Sequence, residues 1–333
     1  MNGSTGRNNG EIMVSVYCLA YNHEQYIRCA LDGFVSQKTD FNYEVFIHDD
    51  ASTDGTKKII EEYAHQYPEI IKPIFQTENQ YSKGVSIVDE ILFPRMKGRY
   101  IAMCEGDDYW SDENKLQRQV DFLESEKTYS ACVHNTRVIN CRTGAESLIN
   151  DSSVDMDLAF DEVVREGNAQ FQLSSLVCRR EFFTVPKDMK AKDFGDYPLA
   201  IYLMFNGKIR YMKEIMSVYR LFAKGSWTST HLLQPTYEMQ VRTQSDLVDF
   251  LHDLLLYSNK NNIKKEYCKS IEKVYRCQTF NLLKMENKNK EILNSYRDIY
   301  NTLSIKEKFK IRYPLITSII KKVKSIRRQE LNE

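Results

Sequence analysis

The sequence predicts an α/β protein with a mostly parallel sheet flanked by helices, followed by a helical C-terminal extension. Short apolar runs alternate with segments in which apolar residues recur at helical spacing. The apolar runs are almost continuous, which is typical of strands buried on both faces of a parallel sheet. From about residue 232 the pattern becomes helical and highly charged.

Strands and helices alternate in the N-terminal half. Strands are expected at Met13–Leu19, Tyr43–His48, Ile70–Phe75, Tyr100–Cys104 and Tyr129–Val133. Helices are expected at Tyr26–Val35 with Tyr26 on the apolar face, from Asp54, at Val85–Phe93, and after Ser111, which is suited to cap it. A strand at Gln172–Cys178 and an apolar helix at Leu199–Phe205 follow.

Composition excludes several classes of protein. The 46 Lys and Arg balance the 46 Asp and Glu, so the whole chain gives no signal of nucleic-acid binding. The eight cysteines form no C-x-x-C pair and have no histidine at zinc spacing, which favours a reduced, cytosolic protein. The polar first ten residues show no signal peptide, and no apolar run approaches the ~20 residues that span a bilayer.

The fourth predicted strand ends in a cluster of carboxylates. Glu105, Asp107 and Asp108 lie within four residues, and like charges this close repel unless something neutralises them. Mg²⁺ or Mn²⁺, held by one or two carboxylates and by substrate phosphates, would do so. The alternative is an acidic loop with helix-capping residues, and the cluster alone does not separate the two interpretations.

A second acidic strand end favours a binding site. Asp49 and Asp50 follow the second predicted strand, and the first strand ends in a polar aromatic turn around Tyr21. Parallel strands place their carboxyl ends at one edge of the sheet, where α/β proteins bind ligands. Neither G-x-G-x-x-G nor a Walker-type Gly-Lys-Ser/Thr is present, so phosphates are expected to be held through a metal ion.

Four motifs, in this order, carry a resemblance to a known family. They are Leu19-Ala-Tyr-Asn22, Asp49-Asp-Ala-Ser-Thr-Asp-Gly55, Glu105-Gly-Asp-Asp108, and Gly195-Asp-Tyr-Pro-Leu199 with Gly207-Lys-Ile and Val218-Tyr-Arg-Leu221 after it. Over roughly residues 12–228 the chain resembles family 2 glycosyltransferases, which have a Rossmann-like GT-A fold. The third motif matches the DxD-type metal motif of that family, with Glu at its first position.

The resemblance implies a division of the chain. Residues 1–11 are expected to form a flexible lead-in, 12–230 the GT-A catalytic domain, and 231–333 the helical extension. Within the catalytic domain, 12–110 would be the nucleotide-binding half and 111–230 the acceptor half.

The resemblance also implies roles for individual residues. Contacts with the nucleotide sugar are expected from Leu19, Tyr21, Asp49, Asp50, Glu105, Asp107, Trp110 and Arg220. The expected metal ligands are Asp107, Glu105 and Asp108. Asp196 is expected to act as general base on the acceptor hydroxyl, with Asp193 as the nearby alternative. Arg220, Lys224 and Trp227 would close over the pyrophosphate; alternatively, Arg220 and Lys224 would be solvated surface cations.

Several of these residues also have a purely structural interpretation. Asp50 would satisfy the backbone of the turn that follows it. Asp108 and Asp196 would stabilise the N-termini of neighbouring helices. Tyr21 and Trp110 would be core residues.

The predicted function is inverting transfer of a sugar from a nucleotide-diphosphate sugar, by resemblance a UDP-sugar, to an acceptor hydroxyl in cell-surface polysaccharide synthesis. The expected acceptor is a saccharide or lipid-linked saccharide, and the expected location is cytoplasmic or peripheral on the inner face of the membrane. One alternative is a nucleotidyltransferase, which would normally show a glycine- and basic-rich phosphate loop near the first strand. The other is a non-catalytic nucleotide-sugar-binding module, which would lack Asp107 or Asp196.

The last thirty residues hold nine Lys or Arg against three Asp or Glu. An apolar stripe at helical spacing runs from Leu315 to Ile326. Such a segment would lie in the headgroup layer of an anionic membrane. Alternatively, it would pack on the catalytic domain or on a second subunit, and the sequence favours neither.

Overall fold

A computed structural model describes residues 10–189, 196–226, 228–229 and 235–313 of the chain. The chain divides into two compact units. The first comprises residues 1–190 and 194–234, and the second comprises residues 191–193 and 235–333.

The first unit is built on one sheet. Its strands are β1 (Ile12–Ala20), β2 (Asn42–Asp49), β3 (Ile71–Phe75), β4 (Tyr100–Met103), β5 (Tyr109–Trp110), β6 (Tyr129–Asn140), β7 (Glu146–Leu148), β8 (Met156–Asp157), β9 (Val177–Arg179) and β10 (Lys208–Leu221). They lie in the order β3-β2-β1-β4-β9-β6-β10-β5, with β7 on β6 and β8 on β10.

The sheet is parallel where the sequence pattern is clearest. β3, β2, β1 and β4 all run in the same direction, and β6 is parallel to β10. The three-residue β9 is antiparallel to both β4 and β6 and joins these two groups, so the whole sheet is mixed. The parallel strands nevertheless end at one edge, which is where the acidic motifs lie.

The first unit contains the helices α1 (Ile27–Val35), α2 (Thr56–Gln66), α3 (Lys115–Ser125), α4 (Phe160–Glu166) and α5 (Asp196–Asn206), with a π-helix at Ile87–Leu92. The prediction that Ser111 caps a helix is wrong. α3 begins four residues later, and the Ser111 N–H instead donates to the Met216 carbonyl at 3.0 Å. The predicted strand at Gln172–Cys178 is also shorter, because a 3₁₀ turn occupies Leu173–Ser175 before β9.

The apolar face of α1 holds the end of β1 in place. Ile27, Ala30, Leu31 and Phe34 are fully buried in the core that also contains residues of β1, β2 and β4. A large side chain buried in this way contributes about 1.5–3 kcal/mol. The loop that joins β1 to α1 is therefore short and anchored at both ends, and the His23 carbonyl accepts the N–H groups of Tyr26 and Ile27 at 2.8 Å.

The second unit is helical, as the sequence predicts. Its described helices are α6 (Tyr237–Lys260), α7 (Lys265–Met285), α8 (Asn289–Ser295), α9 (Arg297–Thr302) and α10 (Ile305–Arg312). A small core of Phe280, Leu283, Ile292 and Ile311 holds α7, α8 and α10 together. Within the described ranges no helix is long and apolar enough to cross a membrane. The predicted stripe from Leu315 to Ile326 lies outside the described residues.

Candidate active site

Three strand ends meet at the carboxyl edge of the sheet. β1 lies between β2 and β4, with Ala20 paired with Asp49 and Tyr17 paired with Met103. The pairing continues beyond β4, because the Cys104 N–H donates to the Tyr17 carbonyl at 3.2 Å and the Gly106 N–H donates to the Leu19 carbonyl at 2.9 Å. We call residues 105–108 the acidic turn. It is therefore fastened to the end of β1.

Glycine is required in the middle of the acidic turn. A Cβ atom at Gly106 would lie 2.7 Å from His23 Nδ1 and 2.9 Å from Ile27 Cδ1. His23 is buried, and burial lowers its pKa despite the nearby charge of Asp107. The missing side chain lets the turn pack directly on this imidazole and brings Glu105 and Asp107 close to the end of β1.

The loops that follow β1 and β2 are joined by hydrogen bonds. The Asn22 N–H donates to Ser52 Oγ at 2.9 Å, and the Thr53 N–H donates to Asn22 Oδ1 at 2.8 Å. Asn22 and Ala51 both adopt the left-handed conformation, with φ of 56° and 63°. This conformation is unfavourable for residues other than glycine, and strained backbone is common at functional sites.

Asp49 and Asp50 have different surroundings. Each carboxylate oxygen of Asp50 accepts a backbone N–H group, from Gln80 at 2.7 Å and from Tyr81 at 3.0 Å. Asp50 thus anchors a distant loop, and it is Asp49 that accepts the N–H of Ser52, at 3.4 Å. Burial raises the pKa of Asp49, whose Oδ1 has no hydrogen-bond partner among the described residues. A carboxylate oxygen has two lone pairs and can accept a second hydrogen bond. Contacts of Asp49 and Asp50 with a nucleotide therefore stay a prediction.

The charge of Asp107 acts on both of its carboxylate neighbours in the acidic turn. Glu105 reaches solvent, but surrounding protein weakens its hydration, and this effect, followed by the charges of Asp107 and Asp196, raises its pKa. Asp108 is buried, and burial followed by the Asp107 charge raises its pKa, although its Oδ1 accepts the Arg220 N–H at 2.9 Å. The carboxylate of Asp107 is buried and accepts no hydrogen bond from the described residues.

These carboxylates suit a hard cation that takes its other ligands from a substrate. Among the described residues, no group of three or more side chains forms a ready-made metal site. Mg²⁺ and Mn²⁺ are often bound by one or two carboxylates together with substrate phosphates and water, so a complete cage is not needed. Asp107 and Glu105 fit this arrangement.

Asp196 is the first residue of α5, and its charge acts on residues at the end of β1 and in the acidic turn. Its charge raises the pKa of Glu105, and it also raises the pKa of Tyr17, where burial is the larger cause. Such effects weaken with distance, and they are the observation that associates Asp196 with the acidic turn. The N-terminus of a helix stabilises the ionised form of a carboxylate. Asp193, the alternative base, lies outside the described residues.

Arg220 adjoins the acidic turn from the end of β10. Its Nη1 donates to the Asp107 carbonyl at 2.7 Å. The guanidinium carbon lies 5.3 Å from the centre of the Tyr26 ring and 4.6 Å from that of Tyr109. Two aromatic faces at this distance stabilise the cation. Arg220 is therefore held in place by its neighbours and is not a solvated surface cation.

Three aromatic residues near the predicted nucleotide-sugar pocket differ in their burial and contacts. Trp110 is 3% exposed, its Nε1 donates to the Ser174 carbonyl at 2.8 Å, and its ring packs on Phe34, so it is a core residue and not a wall of the sugar pocket. Tyr21 is 44% exposed at the end of β1, so its ring is available for stacking. Tyr26 is not simply an apolar residue of the first helix, because its ring contacts Arg220 and its hydroxyl accepts the Lys224 N–H at 3.1 Å.

The mixed sheet and its flanking helices are those of a GT-A fold. Staphylococcus aureus TarS in complex with UDP-GlcNAc superposes with a TM-score of 0.57 at 17% identity, over 89% of this chain and 78% of that one. A mannosyltransferase from Pyrobaculum calidifontis, in complex with GDP-Man and Mn²⁺, gives a TM-score of 0.53 at 16% identity, over 93% and 80% of the two chains.

Sequence comparison supports the same resemblance. Residues 15–169 match the model of glycosyl transferase family 2, and the chain is similar to members of this family. Uncharacterised proteins of Mycobacterium tuberculosis and Mycobacterium bovis are 37% identical over 220 residues, which is 66% of this chain. The match spans 61% of the length of these relatives.

Two further relatives have names that state a reaction or a pathway. Bacillus subtilis TuaG, named as a teichuronic acid biosynthesis glycosyltransferase, is 26% identical over 243 residues, or 66% of this chain and 94% of its own. Escherichia coli WfaP is named as a UDP-Glc:α-D-GlcNAc-diphosphoundecaprenol β-1,3-glucosyltransferase. It is 36% identical over 117 residues, or 35% of this chain and 43% of its own.

Proposed function

We propose that this protein is an inverting glycosyltransferase that moves a sugar from a nucleotide-diphosphate sugar to an acceptor hydroxyl. The main support is the pair Glu105 and Asp107 at the carboxyl edge of the sheet, together with Asp196 at the start of α5, whose charge also acts on Glu105. This grouping provides carboxylates for a phosphate-bound cation beside a carboxylate on a separate helix. A transferase needs both, whereas a binding module needs no base.

The donor would bind across the ends of β1 and β2. The exposed ring of Tyr21 would stack on the base, and the backbone of Leu19 would contact its edge. Asp49 and Asp50 would accept hydrogen bonds from the base or the ribose. Uridine is the proposed base, because WfaP is named for UDP-Glc and the TarS structure contains UDP-GlcNAc.

Asp107 and Glu105 would hold Mg²⁺ or Mn²⁺ against the diphosphate, as the Mn²⁺ bound in the related mannosyltransferase structure supports. The cation would act as a Lewis acid for the departing nucleoside diphosphate. Arg220 would place a further positive charge beside the same leaving group, which stabilises negative charge as it develops.

Asp196 would act as the general base. Its carboxylate would take the proton from the acceptor hydroxyl while that oxygen attacks the anomeric carbon. The bond from this carbon to the diphosphate oxygen breaks, and the leaving group departs with the electron pair. A single displacement of this kind inverts the anomeric configuration and needs no protein nucleophile.

The proposed acceptor is a saccharide, and a lipid-linked saccharide is favoured by the acceptor in the name of WfaP. A role in cell-surface polysaccharide synthesis is supported by the name of TuaG. A cytoplasmic or inner-face location and a membrane contact of the C-terminal segment stay predictions.

The test is to incubate the full chain with Mn²⁺, a panel of UDP-, GDP- and dTDP-sugars, and saccharide or lipid-linked acceptors. The expected result is release of a nucleoside diphosphate and a glycoside of inverted configuration, measured by nuclear magnetic resonance. Release of pyrophosphate would instead indicate a nucleotidyltransferase. A nucleotide sugar that raises the melting temperature without any turnover would indicate a binding module.

A further inference from the structure

The segment that leaves β10 is tied to the acidic turn and to α1. We call residues 220–226 the exit segment. Its first N–H group, that of Arg220, donates to Asp108 Oδ1 at 2.9 Å, and the Arg220 side chain donates to the Asp107 carbonyl at 2.7 Å. Farther along, the Lys224 N–H donates to the Tyr26 hydroxyl at 3.1 Å. These three bonds join parts of the chain that are far apart in sequence.

The pairing of β5 with β10 explains why Asp108 meets Arg220. The acidic turn runs directly into β5, where Tyr109 pairs with Val218 and Trp110 with Ser217 in antiparallel register. Asp108 precedes Tyr109 and therefore lies beside the part of β10 that follows Val218. Asp108 is buried there, with one carboxyl oxygen accepting the Arg220 N–H.

We propose that Asp108 is a positioning residue and not a metal ligand: it fixes the start of the exit segment so that Arg220 stays beside the diphosphate site. This inference rests on the proposed function and deepens it. The N–H group of Arg220 donates to a buried carboxyl oxygen, where the low local dielectric strengthens the hydrogen bond. The bond fixes the backbone of Arg220, and the Tyr26 and Tyr109 rings then limit where its guanidinium can lie.

The substitution Asp108→Asn separates the two roles. An asparagine side chain keeps an oxygen that can accept the Arg220 N–H, but it lacks the negative charge that a ligand of Mg²⁺ or Mn²⁺ supplies. A positioning residue should therefore tolerate Asp108→Asn and not Asp108→Ala. A metal ligand should tolerate neither change.

The first measurement needs neither metal nor activity. Amide hydrogen exchange of residues 219–226 is compared in the unchanged chain, in Asp108→Asn and in Asp108→Ala. Exchange should speed up only in Asp108→Ala, because that variant frees the Arg220 N–H. Asp112→Ala is the matched control, since Asp112 also accepts a backbone N–H, from Asn114 at 2.7 Å, and does not bond to the exit segment. Unchanged exchange in Asp108→Ala would overturn the proposal.

The second measurement is binding of Mn²⁺ in the presence of UDP. Asp108→Asn should keep the Mn²⁺ affinity of the unchanged chain, whereas Asp107→Asn should lose most of it. An equal loss in both variants would make Asp108 a ligand and overturn the proposal. This comparison also decides the question if Asp108→Ala does not fold.

The third measurement is a double-mutant cycle on turnover. Asp108→Ala should lower kcat by roughly 10- to 100-fold, as expected for a residue that orients a site residue, with a smaller change in KM for the donor. In an Arg220→Met background the same substitution should cost little, because Asp108 acts through Arg220. Fully additive losses would contradict the proposal. If the unchanged chain transfers no sugar, the proposed function fails, while hydrogen exchange still decides the role of Asp108.

Discussion

The Gly106 N–H donates to the Leu19 carbonyl at 2.9 Å, which fastens the acidic turn to the end of β1. This one hydrogen bond continues the β1–β4 pairing past the last regular residue of β4. As a result, the turn proposed to bind a metal ion and the strand end proposed to bind the base form one rigid edge. A substitution in the acidic turn should therefore also affect the end of β1, and a substitution at the end of β1 should affect the turn.

Gly106→Ala should damage the site more than the fold. The added Cβ atom would lie 2.7 Å from His23 Nδ1 and 3.1 Å from the Leu19 oxygen, so the turn must move away from β1. Overpacking of this kind costs about 1–3 kcal/mol. We expect loss of most donor binding, measured by calorimetry, with a cooperative unfolding transition retained.

Gly144→Ala is the control for this change. Gly144 has a φ of 71° but nothing within 4 Å of its added Cβ, so it reports backbone strain without crowding. It should lose about 1–2 kcal/mol of stability and keep donor affinity. Normal donor affinity in Gly106→Ala would show that the turn is not held against β1 as described.

Asp107→Asn should remove most metal-dependent nucleotide binding and abolish transfer while leaving the fold intact. Asp107 is buried and makes no hydrogen bond through its carboxylate within the described residues, so the fold does not depend on its charge. Titration with Mn²⁺ after treatment with a chelator measures the effect, and Asp112→Asn serves as a nearby control. Activity close to normal in chelator-washed buffer would disprove the metal assignment.

The sequence predicted the edge of the sheet that carries the site, because each strand there is a continuous apolar run that stops at a carboxylate or an aromatic turn. Asp49 and Asp107 lie where this pattern places them. What each carboxylate binds was not predictable. Asp50 accepts hydrogen bonds from the N–H groups of Gln80 and Tyr81. These residues lie some thirty positions later in the chain, and nothing in the sequence near either partner indicates the contact.

Two further differences between the predicted and the observed structure have the same physical origin. A strand was expected at Gln172–Cys178, but β9 is only three residues long, and nothing in so short a run indicates that it is inserted antiparallel between β4 and β6. Tyr26 satisfies the apolar spacing of the first helix, yet its ring contacts Arg220, which is 194 residues later. Contacts made by the ends of elements depend on tertiary packing, whereas periodicity reports only the face of an element.

Asp196→Asn should lower the turnover by roughly 10²- to 10⁴-fold, the usual contribution of a positioned general base. Donor affinity should barely change, because the residue acts on the acceptor. Asp193→Asn is the matched comparison and should have the smaller effect. A variant that loses donor affinity but turns over normally at saturation would contradict the assigned role, as would a larger catalytic loss at Asp193.

Lys115, the first residue of α3, should make stability depend on pH. Its side chain is fully buried, with Nζ 4.2 Å from the centre of the Trp110 ring and 2.8 Å from Gln119 Oε1. Burial lowers the pKa of Lys115 to about 7. In an unfolded chain the pKa of lysine is about 10.4, so between these values the unfolded state binds the extra proton. The contribution of the buried, uncharged Lys115 side chain to stability is therefore complete above about pH 10 and is lost as the pH falls towards 7.

Lys115→Met should remove this dependence. The difference in unfolding free energy between the variant and the unchanged chain should shift in favour of the variant as the pH falls from about 10 to 7, by at most about 1.4 kcal/mol per unit. Urea denaturation at each pH measures it, and taking the difference cancels the other groups that titrate in this range. Lys57→Met, at a surface lysine whose side chain is 52% exposed, is the control and should leave the pH profile unchanged. A constant difference between pH 7 and 10 for Lys115→Met would mean that this lysine stays charged in the folded protein.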